Sequence, residues 1–515
     1  MIILPRLLLI LTTTLLCSWP WMASAQTQVY LHTDEAEEYI NPEIYGHFAE
    51  HLGRCIYGGI FVGEDSEIPN TRGFRNDVVD ALKELQVPVL RWPGGCFGDT
   101  YHWKDGIGPR EDRPSIVNVH WGGVTEDNSF GTHEFLDFCE VIGAEPYINI
   151  NVGSGTVQEA SEWVEYVTSE NESPMTELRK QNGREEPWDV KYWGIGNENW
   201  GCGGNMEPEY YAWLYRRFAS YCRGDIFRVA GGANVDDYNW TEVMMQKVGH
   251  MPWLMQGLSL HYYTLPEGWR PKVSATEFTE DAWAKTMRQA LRVNELITRH
   301  STIMDKYDPN QRIGLMVDEW GTWFKVEEGT NPGFLYQQNT LRDALVAGIH
   351  LNTFNQHADR VKMANIAQMV NVLQAMILTQ DDQIVLTPSY YVFKMFSVHQ
   401  GATMVPVNIN SPTYSFEGME MDALNASASI RDGNISFTIC NLDPNNDHPI
   451  TLNLTGETYA GSMGQIVTAE NMQDYNDFGQ EEKVTLAEFE VDSPKRNKLE
   501  VTIPAMSVVL IQLTK

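Results

Sequence analysis

The chain is short of basic charge, of paired cysteine motifs and of long apolar runs, and each shortage removes a class of function. Thirty-seven Lys and Arg stand against 69 Asp and Glu, a formal net charge of −32 over 515 residues. Phosphate backbones and anionic lipid surfaces repel such a chain, so nucleic acid and membranes are excluded as partners. Acidity suits a soluble protein acting on neutral ligands. The seven cysteines include no CxxC pair, and no HExxH occurs, so neither a metal site nor another cofactor is expected. No internal repeat or low-complexity tract stands out. The one apolar stretch of note, Leu7 to Leu16, is shorter than the ~20 residues a bilayer needs. Arg6 precedes it and Ala23-Ser24-Ala25 follows. Residues 1–25 therefore read as a cleaved signal peptide, and the mature protein is expected to be secreted or periplasmic.

What is present is enough for a packed fold: 43% hydrophobic and 11% aromatic residues, in a chain long enough for two or three domains. Between residues 44 and 385, eight short apolar runs alternate with helix-like stretches. The runs are Ile44–Phe48, Val89–Trp92, Pro146–Asn151, Tyr192–Glu198, Phe227–Ala233, Leu258–Thr264, Ile313–Trp320 and Met363–Gln368. The helical stretches include Arg75–Gln86, Thr132–Ile142, Glu209–Tyr221 and Phe334–His350. Eight strands separated by helices predict an α/β fold of the (β/α)8 TIM-barrel type. From 386 to 515 the pattern shifts to period-two alternation broken by Gly, Asn, Asp and Pro, which predicts a C-terminal all-β sandwich, jelly-roll-like in character. The alternating segment within 26–43 is expected to add a strand to that sandwich.

Polar groups gather at the C-terminal ends of the predicted strands: His47 and Glu50, Arg91, Asn149 and Asn151, Asn197 and Glu198, Asn234, His261 and Tyr263, Glu319, Gln368. Barrel chemistry sits on that face, because loops there vary while strands hold geometry. A lone strand-end glutamate is ordinarily a solvated or ion-paired carboxylate. Glu198 after Asn197 on the fourth strand, together with Glu319 inside Asp318-Glu319-Trp320 on the seventh, is a different case. Glycoside hydrolysis needs two carboxyl groups, one to protonate the leaving oxygen and one to attack the anomeric carbon. Each also tunes the other's proton affinity. Glu198 and Glu319 are the candidate catalytic pair.

Several longer motifs resemble glycoside hydrolase family 51, the α-L-arabinofuranosidases. They are Ile44 to Arg54, Arg91-Trp92-Pro93-Gly94-Gly95, His102 to Pro109, Gly196-Asn197-Glu198, Ser259 to Tyr263, Asp318-Glu319-Trp320 and Asn365-Ile366-Ala367-Gln368. The resemblance implies a retaining, exo-acting enzyme on arabinofuranosyl groups of plant-wall arabinan or arabinoxylan, with Glu198 as acid/base and Glu319 as nucleophile. It implies sugar hydroxyl contacts for Glu50, Asn197 and Gln368, and an orienting role for Arg91 and Tyr263 beside the nucleophile. His261 would stand near the acid/base, and Trp103 and Trp323 would wall the sugar. It also implies a homo-oligomer. One departure is Cys96, where many members carry a hydroxyl-binding Asn; a thiol is a poor substitute, and a disulfide from Cys96 to Cys55 or Cys202 stays open. Within the enzyme class an endo-β-glucanase or β-xylosidase is the alternative. A non-catalytic glycan-binding protein is a second, but it would have no reason to keep both glutamates.

Overall fold

The computed structural model describes residues 26–270 and 272–515, so the leader reading of residues 1–25 lies outside it. Eight parallel strands close into a barrel. In chain order they are β1 (Gly46–Phe48), β2 (Val89–Trp92), β3 (Glu145–Ile150), β4 (Tyr192–Ile195), β5 (Phe227–Asn234), β6 (Gly257–Thr264), β7 (Gly314–Thr322) and β8 (Val361–Ala367). β8 pairs back onto β1, closing the ring. These runs are buried on both faces, which is why they read as continuous apolar segments rather than as alternation. Val89, Tyr147, Tyr192, Val229, Met316 and Met363 form one layer of the barrel interior.

Strand register places the chemistry. His261 on β6 lies opposite Glu319 on β7. Arg91 on β2 lies between Phe48 on β1 and Tyr147 on β3. Side chains far apart in sequence thus converge on one end of the barrel.

The C-terminal region is two packed antiparallel-rich sheets. One has six strands in the order Thr403–Val405, Leu424–Arg431, Asn434–Asn441, Ser507–Thr514, Gly461–Val467, Leu486–Phe489. The other has four: Val407–Ile409, Thr27–His32, His448–Thr455, Lys498–Ile503. Apolar side chains from both sheets, Val29, Ile439, Leu452 and Ile511 among them, fill the space between them.

Two differences from the sequence reading have physical causes. The helix expected at Phe334–His350 runs instead from Leu341 to Gln356. Thr340 starts it: its hydroxyl accepts the Arg342 N–H, and the Asp343 carboxylate accepts the Thr340 N–H at 2.8 Å. That capping box overrides the apolar pattern upstream and leaves residues 334–340 as part of a loop. The same helix is buried on nearly every side, between barrel and sandwich, so it carries little amphipathic signal. The helix Pro388–Phe396 packs against it beyond β8. The boundary expected at residue 385 therefore falls ahead of the last helix of the barrel layer.

Polar contacts fasten helix 341–356 to the six-stranded sheet. Asn352 accepts from the hydroxyls of Ser427 at 2.8 Å and Thr438 at 2.7 Å, and donates to the Asn425 carbonyl at 3.2 Å. Asn352 is fully buried. Asn352→Ala leaves those hydroxyls without their acceptor and should cost about 2–3 kcal/mol. Urea unfolding followed by circular dichroism reads this directly; a loss below about 0.5 kcal/mol, the range of a surface substitution, refutes the anchoring role.

Candidate active site

Arg91 leaves the end of β2 with its guanidinium fully enclosed. It lies 4.5 Å from the centre of the Phe48 ring, which shields it from water on one face. One terminal nitrogen donates to the Glu319 carboxylate at 2.9 Å and to the Asp318 carbonyl at 3.1 Å; the other donates to Asn197 Oδ1 at 2.5 Å. Tyr263, from β6, donates its hydroxyl to the second Glu319 oxygen at 2.8 Å. Glu319 is thus held at both oxygens.

Glu198 follows β4 through Gly196, which sits at φ +91°, and takes φ +40° itself. Both values lie in the left-handed region, which a glycine enters freely and a glutamate does not. The turn aims the Glu198 side chain back over the barrel mouth, where His261 Nδ1 lies 2.9 Å from its Oε1. Oxygens of Glu198 and Glu319 and a ring nitrogen of His261 all lie within 4.8 Å of one another. Carboxyl groups at about 5–5.5 Å belong to retaining glycosidases, and inverting ones stand roughly 6.5–9.5 Å apart.

The electrostatics favour a proton on Glu198. Burial, then the charge of Glu319, raises the pKa of Glu198, while the hydrogen bond and charge of His261 oppose them. Burial alone would lower the pKa of His261, but Glu319, Asp318 and Glu198 outweigh it and bring it to about 10. The imidazole therefore stays protonated near neutral pH. Asp318 completes the set: it accepts from the Tyr147 hydroxyl at 2.7 Å and lies 3.3 Å from His261 Nε2. Arg91 and His261 overcome burial and hold its pKa below the usual value.

Glu50 and Gln368 form the neighbouring wall. Glu50 accepts from the Phe97 N–H at 3.0 Å, from Trp121 Nε1–H at 2.8 Å and from Gln368 Nε2–H at 3.0 Å. Burial, then the charge of Glu319, pushes its pKa up to about 7. The carbonyl oxygen of the Gln368 side chain is buried and has no partner among the described residues, leaving an acceptor for a ligand hydroxyl. A side chain at Gly94 would come within 2.7 Å of Glu50, so a glycine there lets this wall close up.

The structure places the predicted residues unequally. Glu50, Arg91, Asn197, Glu198, His261, Tyr263, Glu319 and Gln368 form one linked cluster. Trp323 stands at its edge, its ring 5.0 Å from that of Tyr263. Trp103 does not reach it. Its ring lies parallel to Trp163 at 6.0 Å, its N–H donates to the Glu159 carbonyl, and it is buried in the layer outside the strands. Trp121, which sequence reasoning passed over, reaches Glu50 instead. Its loop (residues 118–124) abuts a second one, since a side chain on Gly122 would meet the Phe334 ring at 2.8 Å. A tryptophan in an irregular loop has no periodicity to mark it; only its position after β2 hinted at the barrel mouth. Cys96 is disulfide-bonded to Cys202, and Cys55 is a free thiol.

With this geometry established, comparison with known proteins is informative. Two family models match, "Alpha-L-arabinofuranosidase 1 domain" over residues 81–268 and "Alpha-L-arabinofuranosidase C-terminal domain" over 318–507. A Bacteroides ovatus protein named as an intracellular exo-α-L-arabinofuranosidase is 52% identical over 98% of this chain and 99% of its own. A probable α-L-arabinofuranosidase C of Aspergillus niger is 34% identical over 88% of this chain and 92% of its own. The crystal structure of a glycoside hydrolase family 51 arabinofuranosidase from Xanthomonas axonopodis pv. citri superposes with a TM-score of 0.93 at 47% identity, covering 95% of this chain and 100% of that one. One expectation is corrected here. The secreted or periplasmic location, and the signal peptide on which it rested, conflict with the intracellular designation of the Bacteroides relative. A ten-residue apolar run beside small residues is a composition, and composition alone does not decide export.

Three outcomes follow for the site. Trp121→Phe removes a donor to Glu50 and should lower kcat/KM roughly ten- to a hundredfold. Trp103→Phe should leave kcat/KM within about twofold while costing about 1–3 kcal/mol of stability; the reverse ranking restores Trp103 to the pocket. In the acid role that the resemblance implies, Glu198 carries its proton when substrate arrives, and the protonated imidazole of His261 favours the ionised form. His261→Ala should therefore move the alkaline limb of kcat/KM to higher pH. A limb that stays put or moves to lower pH refutes this electrostatic role.

Proposed function

Because the chain belongs to the α-L-arabinofuranosidases of glycoside hydrolase family 51, we propose that it removes terminal α-L-arabinofuranosyl groups from plant-wall arabinan, arabinoxylan or their oligosaccharides, with retention of configuration. The observation that carries this reading is the closeness of Glu198 and Glu319, whose nearest oxygens lie within 4.8 Å, as in retaining rather than inverting enzymes. Glu319, gripped by Arg91 and Tyr263, attacks the anomeric carbon. Glu198 passes its proton to the departing glycosidic oxygen, and a covalent arabinofuranosyl–Glu319 ester forms. Glu198, now a carboxylate beside the His261 cation, takes a proton from water. That water attacks the same carbon, and Glu319 leaves as the carboxylate.

Glu50, Asn197 and Gln368 are the proposed partners of the sugar hydroxyls, and Trp323 and Trp121 its aromatic walls. The touching loops that carry Trp121 and Phe334 rim one side of the site, which supports release of single terminal sugars rather than cleavage within a chain. We also keep the homo-oligomer as a proposal, supported by the exposed aromatics Tyr210 and Trp213, one turn apart on helix Pro208–Tyr221. Light scattering at the mass of a single chain would refute it.

A panel of nitrophenyl α-L-arabinofuranoside, β-D-xyloside and β-D-glucoside tests the specificity; preference for either hexopyranoside or pentopyranoside overturns it. Glu319→Ala should lower turnover by at least roughly a thousandfold on every substrate. Glu198→Ala should spare nitrophenyl glycosides, whose leaving group needs little protonation, far more than natural oligosaccharides. Equal losses on both would remove Glu198 from the acid/base role.

A further inference from the structure

The site contains one feature the hydrolytic mechanism does not use. Cys96 lies on the loop after β2, just beyond the two glycines packed on Glu50, and Cys202 lies four residues past Glu198. They are joined as a disulfide, and the Cys202 sulfur lies 3.6 Å from Glu198 Oε2. A disulfide sulfur carries no proton, so this contact donates nothing to the carboxylate. In a reducing compartment the pair stands as two thiols. A low-molecular-weight thiol supplies the electrons: two RSH become RSSR, and the Cys96–Cys202 bond becomes two S–H groups.

We propose that the reduced pair and Glu198 form a binding site for a soft divalent cation such as Zn2+, and that its occupation stops turnover by withdrawing the acid/base. The two sulfurs and a Glu198 oxygen lie within 4.8 Å of one another. Zinc–sulfur and zinc–oxygen bonds of about 2.3 and 2.1 Å place two ligands of one tetrahedral ion about 3.6 Å apart. The observed Cys202–Glu198 contact has that spacing already. Once reduced, the sulfurs need to separate to about 3.8 Å to share the ion, a side-chain rotation. Binding releases both thiol protons, since thiolate is the ligand. Water completes the coordination. Glu198 then has a metal where its proton must sit, and the glycosidic oxygen has no acid. Oxidation reverses this, because a disulfide offers no thiolate. The other described cysteines, Cys55, Cys139, Cys222 and Cys440, are buried thiols outside this cluster.

The test compares the enzyme in its disulfide form with enzyme reduced by a phosphine and desalted without oxygen. Zn2+ is titrated against nitrophenyl arabinofuranoside turnover, and Cd2+ against thiolate charge-transfer absorbance. Reduced enzyme should lose roughly tenfold or more of its turnover at micromolar Zn2+ and bind one Cd2+ per chain, as a site with two thiolates permits. The oxidised enzyme should do neither. Reduced Cys202→Ser and Cys96→Ser should keep turnover and show neither inhibition nor absorbance, and two variants guard against one that misfolds. Equal inhibition in the oxidised enzyme or in both variants would place the metal elsewhere, for example on Glu198, His261 and Glu319, and overturn the proposal. Absent thiolate absorbance, or absorbance with unchanged turnover, overturns it as well. Only the turnover arm rests on Glu198 as the acid/base; a metal-free enzyme without arabinofuranosidase activity would count against that reading, while the absorbance still decides the site.

Discussion

One buried guanidinium organises the catalytic end of the barrel. Arg91 touches the Glu319 carboxylate, the backbone of Asp318 and the side chain of Asn197, the residue before Glu198, so it ties β2 to β7 and to the turn after β4 at once. Burying a cation is expensive unless it is fully paired. Here Phe48 covers its face and Asp318 and Glu319 supply the compensating charge. Without Arg91, Asp318 and Glu319 would stand as two adjacent buried carboxylates on β7 with less compensating charge between them.

His261 and Asp318 extend that arrangement to the acid/base. The imidazole bridges Glu198, Glu319 and Asp318, so its charge acts on both carboxylates of the proposed pair. It moderates the proton affinity that burial gives Glu198 and favours its carboxylate form, as the proposed exchange of acid and base roles requires. A lone buried carboxyl would hold its proton too tightly to alternate between roles. The position of His261 opposite Glu319 is a register property of β6 and β7, and register depends on the whole closed ring.

The sandwich serves the site indirectly. Helix Leu341–Gln356 lies between barrel and sheet, with its first turn capped by Thr340 and Asp343. The Asp343 carboxylate also accepts from the hydroxyl of Thr322 at the end of β7. The helix is thus hydrogen-bonded near one end to the strand that carries Glu319 and near the other to the six-stranded sheet.

Eight parallel strands, an all-β C-terminal region and two glutamates at strand ends were legible in the sequence, because burial on both faces writes continuous apolar runs and because carboxylates at the mouth of a barrel have few structural reasons to be there. Motif resemblance extended this to Glu50, Asn197, His261, Tyr263 and Gln368. The start of helix 341–356 was not legible, since local capping outweighed apolar spacing and all-round burial erased the period. Location was misread, because an apolar leader-like run is not a compartment. The exchange of Trp103 for Trp121 and the pairing of Cys96 with Cys202 were settled by tertiary structure alone. Residue type and spacing follow from local physics and can be read along a line. Which aromatic ring turns inward and which sulfurs meet depend on loops whose ends are fixed by distant strands, and no linear pattern records that closure.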